Sequence, residues 1–79
     1  MYKIKFNTVD SVKAFIREID KTTSDSIIRS ENKKYAVDAR SILGILSLDL
    51  TNILLLEIYG DESEFINKIK DLGILIEEV

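Results

Sequence analysis

The chain has 79 residues, a formal net charge of −3 with 32% charged residues of mixed sign, and no Cys, His, Trp or Pro. That length makes one domain spanning residues 1–79, near the lower limit of what a single hydrophobic core stabilises unaided. The missing residue types exclude disulfides, thiolate metal sites and imidazole catalysis, and the charge balance argues against nucleic acid, which demands a basic face.

From Tyr2 to Phe6 apolar and charged residues alternate, with Tyr2, Ile4 and Phe6 on one side. Period two predicts a half-buried first strand. The same alternation is unlike a secretory signal, and the longest apolar runs, such as Ile53 to Leu56, are far below membrane-spanning length. A soluble cytoplasmic protein without membrane attachment is the expectation.

Val9, Val12, Phe15, Ile16 and Ile19 then recur at three- and four-residue steps, with Asp10, Lys13, Arg17, Glu18 and Lys21 opposite. This predicts an amphipathic helix capped by Thr8 or Asp10 and ending near Lys21. Thr22 to Asp25 has loop composition. Ser26 to Ser30 and Lys34 to Ala39 read as two strands joined tightly through Glu31, Asn32 and Lys33, with Asn32 suited to the left-handed turn position.

Ser41 to Leu48 predicts a short second helix opened by a capping serine. Its pattern holds more apolar residues than one buried stripe needs. Ile42, Leu43 and Leu46 are expected on an exposed side that docks a protein partner, while Ile45 and Leu48 serve the core. Asp49 to Asn52 is a turn, and Ile53 to Tyr59 reads as a central strand.

Gly60-Asp61-Glu62-Ser63 opens the last helix, where acidic residues suit the positive helix start. Phe65, Ile66, Ile69 and Leu72 form its apolar stripe. Gly73 reads as a helix stop followed by an extended tail, residues 74–79, although Phe65, Ile69, Leu72, Ile76 and Val79 also keep helical spacing. The order is β-α-β-β-α-β-α. The expected fold class is α+β: a four-stranded antiparallel sheet with three helices on one face. Ile4, Phe6, Phe15, Ile16, Ile19, Leu48, Leu56, Ile58, Ile66 and Ile69 are expected to supply much of the core.

This order, together with Phe15-Ile16-Arg17-Glu18, Ser24-Asp25, Gly60-Asp61-Glu62 and above all Arg40-Ser41-Ile42-Leu43-Gly44-Ile45-Leu46-Ser47-Leu48, resembles HPr, the histidine-containing phosphocarrier family of the bacterial sugar phosphotransferase system. The resemblance implies an HPr-like open-faced sandwich over most of the chain. It also implies a phosphoryl-accepting Gly-Leu-His-x-Arg-Pro-Ala motif before the first helix. Here Thr8 stands at the histidine position and Asp10 at the arginine position, and no histidine exists elsewhere. The chain is therefore expected to lack histidine-type phosphocarrier chemistry.

In low-GC Gram-positive members, HPr and its His-less paralogue are phosphorylated by a dedicated kinase on the serine matching Ser41, and the modified proteins bind a transcriptional regulator. The resemblance thus implies a regulatory adaptor whose partners include such a regulator or a serine kinase. A phosphate on Ser41 would meet a helix start, with Arg40 as a neighbouring cation. Two plainer alternatives stand beside this. Ser41 can be an N-cap and nothing more, and the chain can be a small structural or ligand-sensing domain, dimeric through an exposed edge or patch. Asp61, Glu62 and Glu64 read as a solvated helix start rather than a metal site. No nucleophile–base pair is visible, so no enzyme, cofactor or metal is expected.

Overall fold

In the computed structural model, which describes all 79 residues, eight elements follow one another. They are β1 (Tyr2–Ile4), α1 (Val9–Ile19), β2 (Asp25–Ser30), β3 (Ala36–Asp38), α2 (Ile42–Leu46), β4 (Leu54–Tyr59), α3 (Ser63–Asp71) and β5 (Leu75–Glu78). The strands form one sheet in the order β3-β2-β4-β1-β5, and every neighbouring pair is antiparallel. The class is α+β as expected, but the sheet has five strands rather than four.

The fifth strand is the tail beyond Gly73. Leu72 caps α3, and Gly73 takes φ +76, which favours glycine. The Ile74 N–H then donates to the Ile69 carbonyl and the Gly73 N–H to the Lys70 carbonyl, each at 3.0 Å. This double closure is a Schellman motif, and the flanking Ile69 and Ile74 are both buried. The chain leaves it extended and pairs with β1, with a register shift between Lys3 and Ile4. The helical spacing of Ile76 and Val79 is thus overridden by backbone geometry at one glycine.

Alternation sorts the sheet into two unlike faces. Ile4, Ile28, Leu54 and Leu56 point to one side and share a single core with Val12, Phe15 and Ile19 of α1, Ile45 of α2 and Phe65 and Ile69 of α3. All three helices therefore cover this face. Phe15 sits edge-on to both Phe6, at 5.3 Å, and Phe65, at 5.4 Å between ring centres. Burying each such side chain contributes about 1.5–3 kcal/mol. Of the expected core, Ile16, Leu48, Ile58 and Ile66 are only partly buried against this cluster, while Ile74 and Ala39 join it.

The other face carries no helix. Ala36, Arg29, Leu55, Lys3 and Glu77 stand directly opposite one another across the five strands. Arg29 pairs with Glu57 at 3.1 Å and Lys3 with Glu77 at 3.1 Å. Leu55 is only 6% exposed, because Lys3 and Arg29 flank it and their aliphatic stems shield it. In the β2–β3 hairpin the left-handed position falls on Lys33, φ 61, and not on Asn32. Asn32 instead accepts from the Ser30 hydroxyl at 2.7 Å and the Lys34 N–H at 2.9 Å, which holds the turn from inside.

Candidate functional site

The second helix is shorter than its sequence pattern predicts. Ser41 lies just outside it as the N-cap, its Oγ accepting from the Gly44 N–H at 3.0 Å, and the helix ends at Leu46 with Ser47 as C-cap. Leu48 lies beyond it, half-buried. A side chain at Gly44 would put its Cβ 3.1 Å from Cβ of Val37. Glycine therefore lets α2 lie close against β3, and that contact fixes which side of α2 turns inward.

Ile45 is fully buried and Ile42, one turn earlier, packs partly against the core. Leu43 is 78% exposed and Leu46 is 40% exposed. The expected trio of Ile42, Leu43 and Leu46 is therefore split. Positions 42 and 45 share the inward stripe by their three-residue spacing, whereas 43 and 46 share the outward one. The exposed apolar surface is Leu43 with Leu46, and Ile42 is its buttress.

Ser41 stands at the rim of that surface, exposed to solvent. Its expected cationic neighbour is turned elsewhere. One Arg40 guanidinium nitrogen donates to the Thr22 carbonyl at 3.0 Å, to the Thr22 hydroxyl at 2.7 Å and to the Ile19 carbonyl at 3.4 Å. It closes the C-terminal end of α1, where free carbonyls and the helix dipole favour a cation. Arg40 thereby ties the α2 segment to α1 and does not face the Ser41 hydroxyl.

Thr8 is the N-cap of α1. Its Oγ1 accepts from the Ser11 N–H at 3.1 Å, and the Ser11 Oγ accepts from the Thr8 N–H at 3.3 Å, a reciprocal capping box. Asp10 lies in the first turn, exposed. Lys5, Phe6, Asn7, Thr8 and Val9 border a concavity of ≈460 Å³ with Leu50 and Thr51, from the turn after α2. Its polar groups are one ammonium, two hydroxyls and an amide. Thr8 and Ser11 thus carry helix-capping chemistry, and Asp10 adds an exposed carboxylate in the first turn.

The acidic start of α3 also differs from expectation. Glu62 caps nothing on its own helix. Its Oε2 reaches across the fold and accepts from the Ser24 hydroxyl at 2.6 Å and from the N–H groups of Ser24, at 3.1 Å, and Thr23, at 3.3 Å. These bonds, that from the Ser24 hydroxyl foremost, hold the Glu62 carboxyl below the usual carboxylate range. Gly60 leaves room for this contact, because a Cβ there would collide with the Ser24 Oγ and turn its hydroxyl away from Glu62. On the uncovered face the Tyr59 hydroxyl donates to Glu57 at 2.7 Å, which lowers the Glu57 carboxyl and raises the Tyr59 phenol. No cluster of three or more His, Cys, Asp or Glu side chains is placed to hold a metal ion.

The widest groove, ≈1020 Å³, runs between the β2–β3 hairpin and the segment after α2, with Tyr35, Val37 and Leu54 on one side and Leu48, Asp49 and Asn52 on the other. No local motif marks it, since it arises only when residues 30–37 and 47–54 come together. Tyr35, 57% exposed, is the one legible hint.

The fold and these sites define a small α+β domain with an antiparallel sheet, three helices on one face and no helix long and apolar enough to cross a membrane. The chain matches no protein-family model, no curated protein and no solved structure.

Proposed function

We propose that this chain is a non-enzymatic adaptor of HPr-like descent that docks a protein partner on the outward side of α2. The observation that carries the reading is the exposure of Leu43 and Leu46 on a helix whose inward positions are already satisfied by Ile42 and Ile45. Contiguous exposed apolar surface, unlike hydrophobes exposed singly, marks contact sites, and Leu43 and Leu46 are three residues apart on the outward side of α2. The first seven elements keep the β-α-β-β-α-β-α order on which the resemblance rests, and β5 extends it.

In this reading Ser41 is the regulatory point. A phosphate there would add up to about two negative charges at the rim of the apolar pair. It would also remove the hydroxyl from its capping role toward Gly44. The phosphate would gain no direct help from Arg40, which is engaged at α1, so its effect falls on the partner. The partner is a transcriptional regulator or a serine kinase, met in the cytoplasm. Transfer from phosphoenolpyruvate through a phosphohistidine is absent, because the chain holds no imidazole.

The test pairs two measurements. Leu43→Asp with Leu46→Asp should abolish partner binding while the amide NMR spectrum stays dispersed. Incubation with the family's serine kinase and ATP should place phosphate on Ser41 and nowhere else. Unchanged partner binding by the double variant removes the docking role, and acid-labile phosphate accepted from the family's upstream enzyme removes the claim of lost carrier chemistry.

A second reading is favoured by the uncovered sheet face: a structural domain that self-associates. Sedimentation at rising concentration separates it from the first.

A further inference from the structure

We propose that the free edge of β3 is a binding site for an extended polypeptide segment that alternates basic and apolar side chains. This site is distinct from the Leu43–Leu46 surface. The backbone supplies the first observation. The Ser30 N–H donates to the Tyr35 carbonyl at 2.9 Å, and the Ala39 N–H donates to the Ser26 carbonyl at 3.1 Å. In an antiparallel ladder, inward and outward backbone groups alternate residue by residue. Tyr35, Val37 and Ala39 therefore aim their backbone groups at β2, and Ala36 and Asp38 aim theirs away from the sheet. The Asp38 carbonyl is occupied by the Ser41 N–H at 3.0 Å. The Ala36 N–H, the Ala36 carbonyl and the Asp38 N–H remain free, and together they template one added strand.

The second observation is that this edge is flanked by a concavity on each face of the sheet. Ala36 and Val37 line both. On the helix-covered side lies the ≈1020 Å³ groove, where Tyr35, Val37 and Leu48 offer apolar surface among polar side chains that include Glu31, Lys34 and Asp49. On the uncovered side a concavity of ≈570 Å³ holds Asp25, Ile27, Asp38 and Tyr59. Arg40 lines it too, but its guanidinium is engaged by Thr22 and the Ile19 carbonyl at the end of α1, while its backbone N–H donates to the Asp38 carboxylate at 2.8 Å. Register puts Tyr59 directly opposite Asp25 and Ile27 directly opposite Asp38. Successive side chains of an added strand point to opposite faces. An incoming segment would thus alternate between the apolar part of a mixed groove, at Tyr35, Val37 and Leu48, on one side and two carboxylates with an aromatic ring on the other.

Charge chooses the occupant. Neither Asp25 nor Asp38 takes part in a salt bridge, whereas Glu57 is already matched by Arg29. Lys or Arg on the uncovered side of the added strand would meet these carboxylates and the face of Tyr59. A second copy of this chain would instead bring its own Asp38 to the same acidic face and accumulate like charge. The opposite edge, β5, differs again: Glu77 and Glu78 and a register shift blunt it.

The probe is the blocked peptide Ac-Thr-Lys-Val-Lys-Val-Lys-Thr-amide, titrated into the full chain and followed by amide NMR. The expected result is saturable shifts at Ala36 and Asp38 and at residues lining both flanking concavities, with slowed exchange of the Ala36 amide. The same peptide with Glu replacing Lys should bind roughly tenfold more weakly or worse. Ala36→Pro deletes an outward N–H without touching the β2 ladder and should weaken binding by roughly tenfold. Should that variant not fold, methylating the backbone nitrogens on one edge of the peptide removes the same bonds from the ligand side, with the same loss expected. Absence of shifts at Ala36 and Asp38, equal binding of the Glu peptide, or indifference to both backbone deletions would each overturn the proposal. So would concentration-dependent shifts at Ala36 without peptide, which would assign the edge to a second copy. Leu43→Asp with Leu46→Asp should leave the titration unchanged, which keeps this site's failure separate from that of the α2 surface.

Discussion

α1 and α2 are both opened by a hydroxyl side chain, yet they do opposite work. α1 runs for 11 residues, closes its start with a reciprocal box between Thr8 and Ser11, and turns Val12, Phe15 and Ile19 fully into the core. α2 has 5 residues, one capping bond from Ser41 and a single fully buried side chain, Ile45. A helix of three turns can hold a complete inward stripe and a complete polar face. A helix of little more than one turn cannot, and here its surplus apolar residues, Leu43 and Leu46, face solvent. The difference separates an element that holds the fold from one that the fold holds out.

The contrast is sharpest in stability. Phe15→Ala should cost about 3–5 kcal/mol, because it empties a fully buried site between two aromatic rings. That is a large part of the stability of so small a domain, and urea unfolding followed by circular dichroism will show it. A loss under about 1 kcal/mol would mean that α1 is not the organising element.

The two caps extend the comparison at lower amplitude. Thr8→Ala should cost about 1–2 kcal/mol and Ser41→Ala about 0.5–1 kcal/mol, since only the first breaks a reciprocal pair on a long helix. Equal losses in thermal unfolding would contradict the ranking.

Acid adds a third test, placed where Glu62 fastens α3 to the loop after α1. Its folded carboxyl lies below the ordinary value, so it contributes stability above the unfolded pKa of about 4.3 and loses that contribution as pH falls through the folded value. The wild-type chain should therefore lose stability more steeply below about pH 4.3 than Glu62→Gln does. Parallel melting-temperature curves for the two would show that the carboxylate is not what holds Thr23 and Ser24.

The smallest expected change in stability is at the proposed docking surface. Leu43→Asp with Leu46→Asp should shift unfolding by no more than about 0.5 kcal/mol per site, because both side chains already meet water. A large loss would make them core residues and erase the distinction from α1.

Much of this was legible in the sequence. Long amphipathic stretches declare themselves, so α1, α3 and the central strand β4 lie close to where period and composition put them. Most of the misses share a cause, contacts distant in sequence; the left-handed Lys33, set by the bonds of Asn32 to Ser30 and Lys34, is the local exception. The extended tail after Gly73 was legible as a helix stop, but its addition to the sheet as a fifth strand beside β1 was not. In α2 a run of apolar residues too short to show a period left the inward stripe open, and the close approach of Gly44 to Val37 settled it in favour of Ile42 and Ile45. Arg40 reads locally as a neighbour of Ser41, yet the α1 terminus lies within its reach and offers free carbonyls. Glu62 reads as part of a solvated helix start, but three donors from residues 23 and 24 claim it. The groove beside Tyr35 had no sequence signal, since it exists only between segments that the fold brings together.

A partner seated on the outward side of α2 is the central claim. A photo-crosslinking amino acid placed at Leu43, and a control placed at the exposed Arg17 of α1, would test that in the native cells under one irradiation. A discrete crosslinked species from position 43 that is missing from position 17, and that changes in amount when Ser41 is replaced by Ala, is the expected result. No adduct at position 43, or the same adducts from both positions, would contradict it.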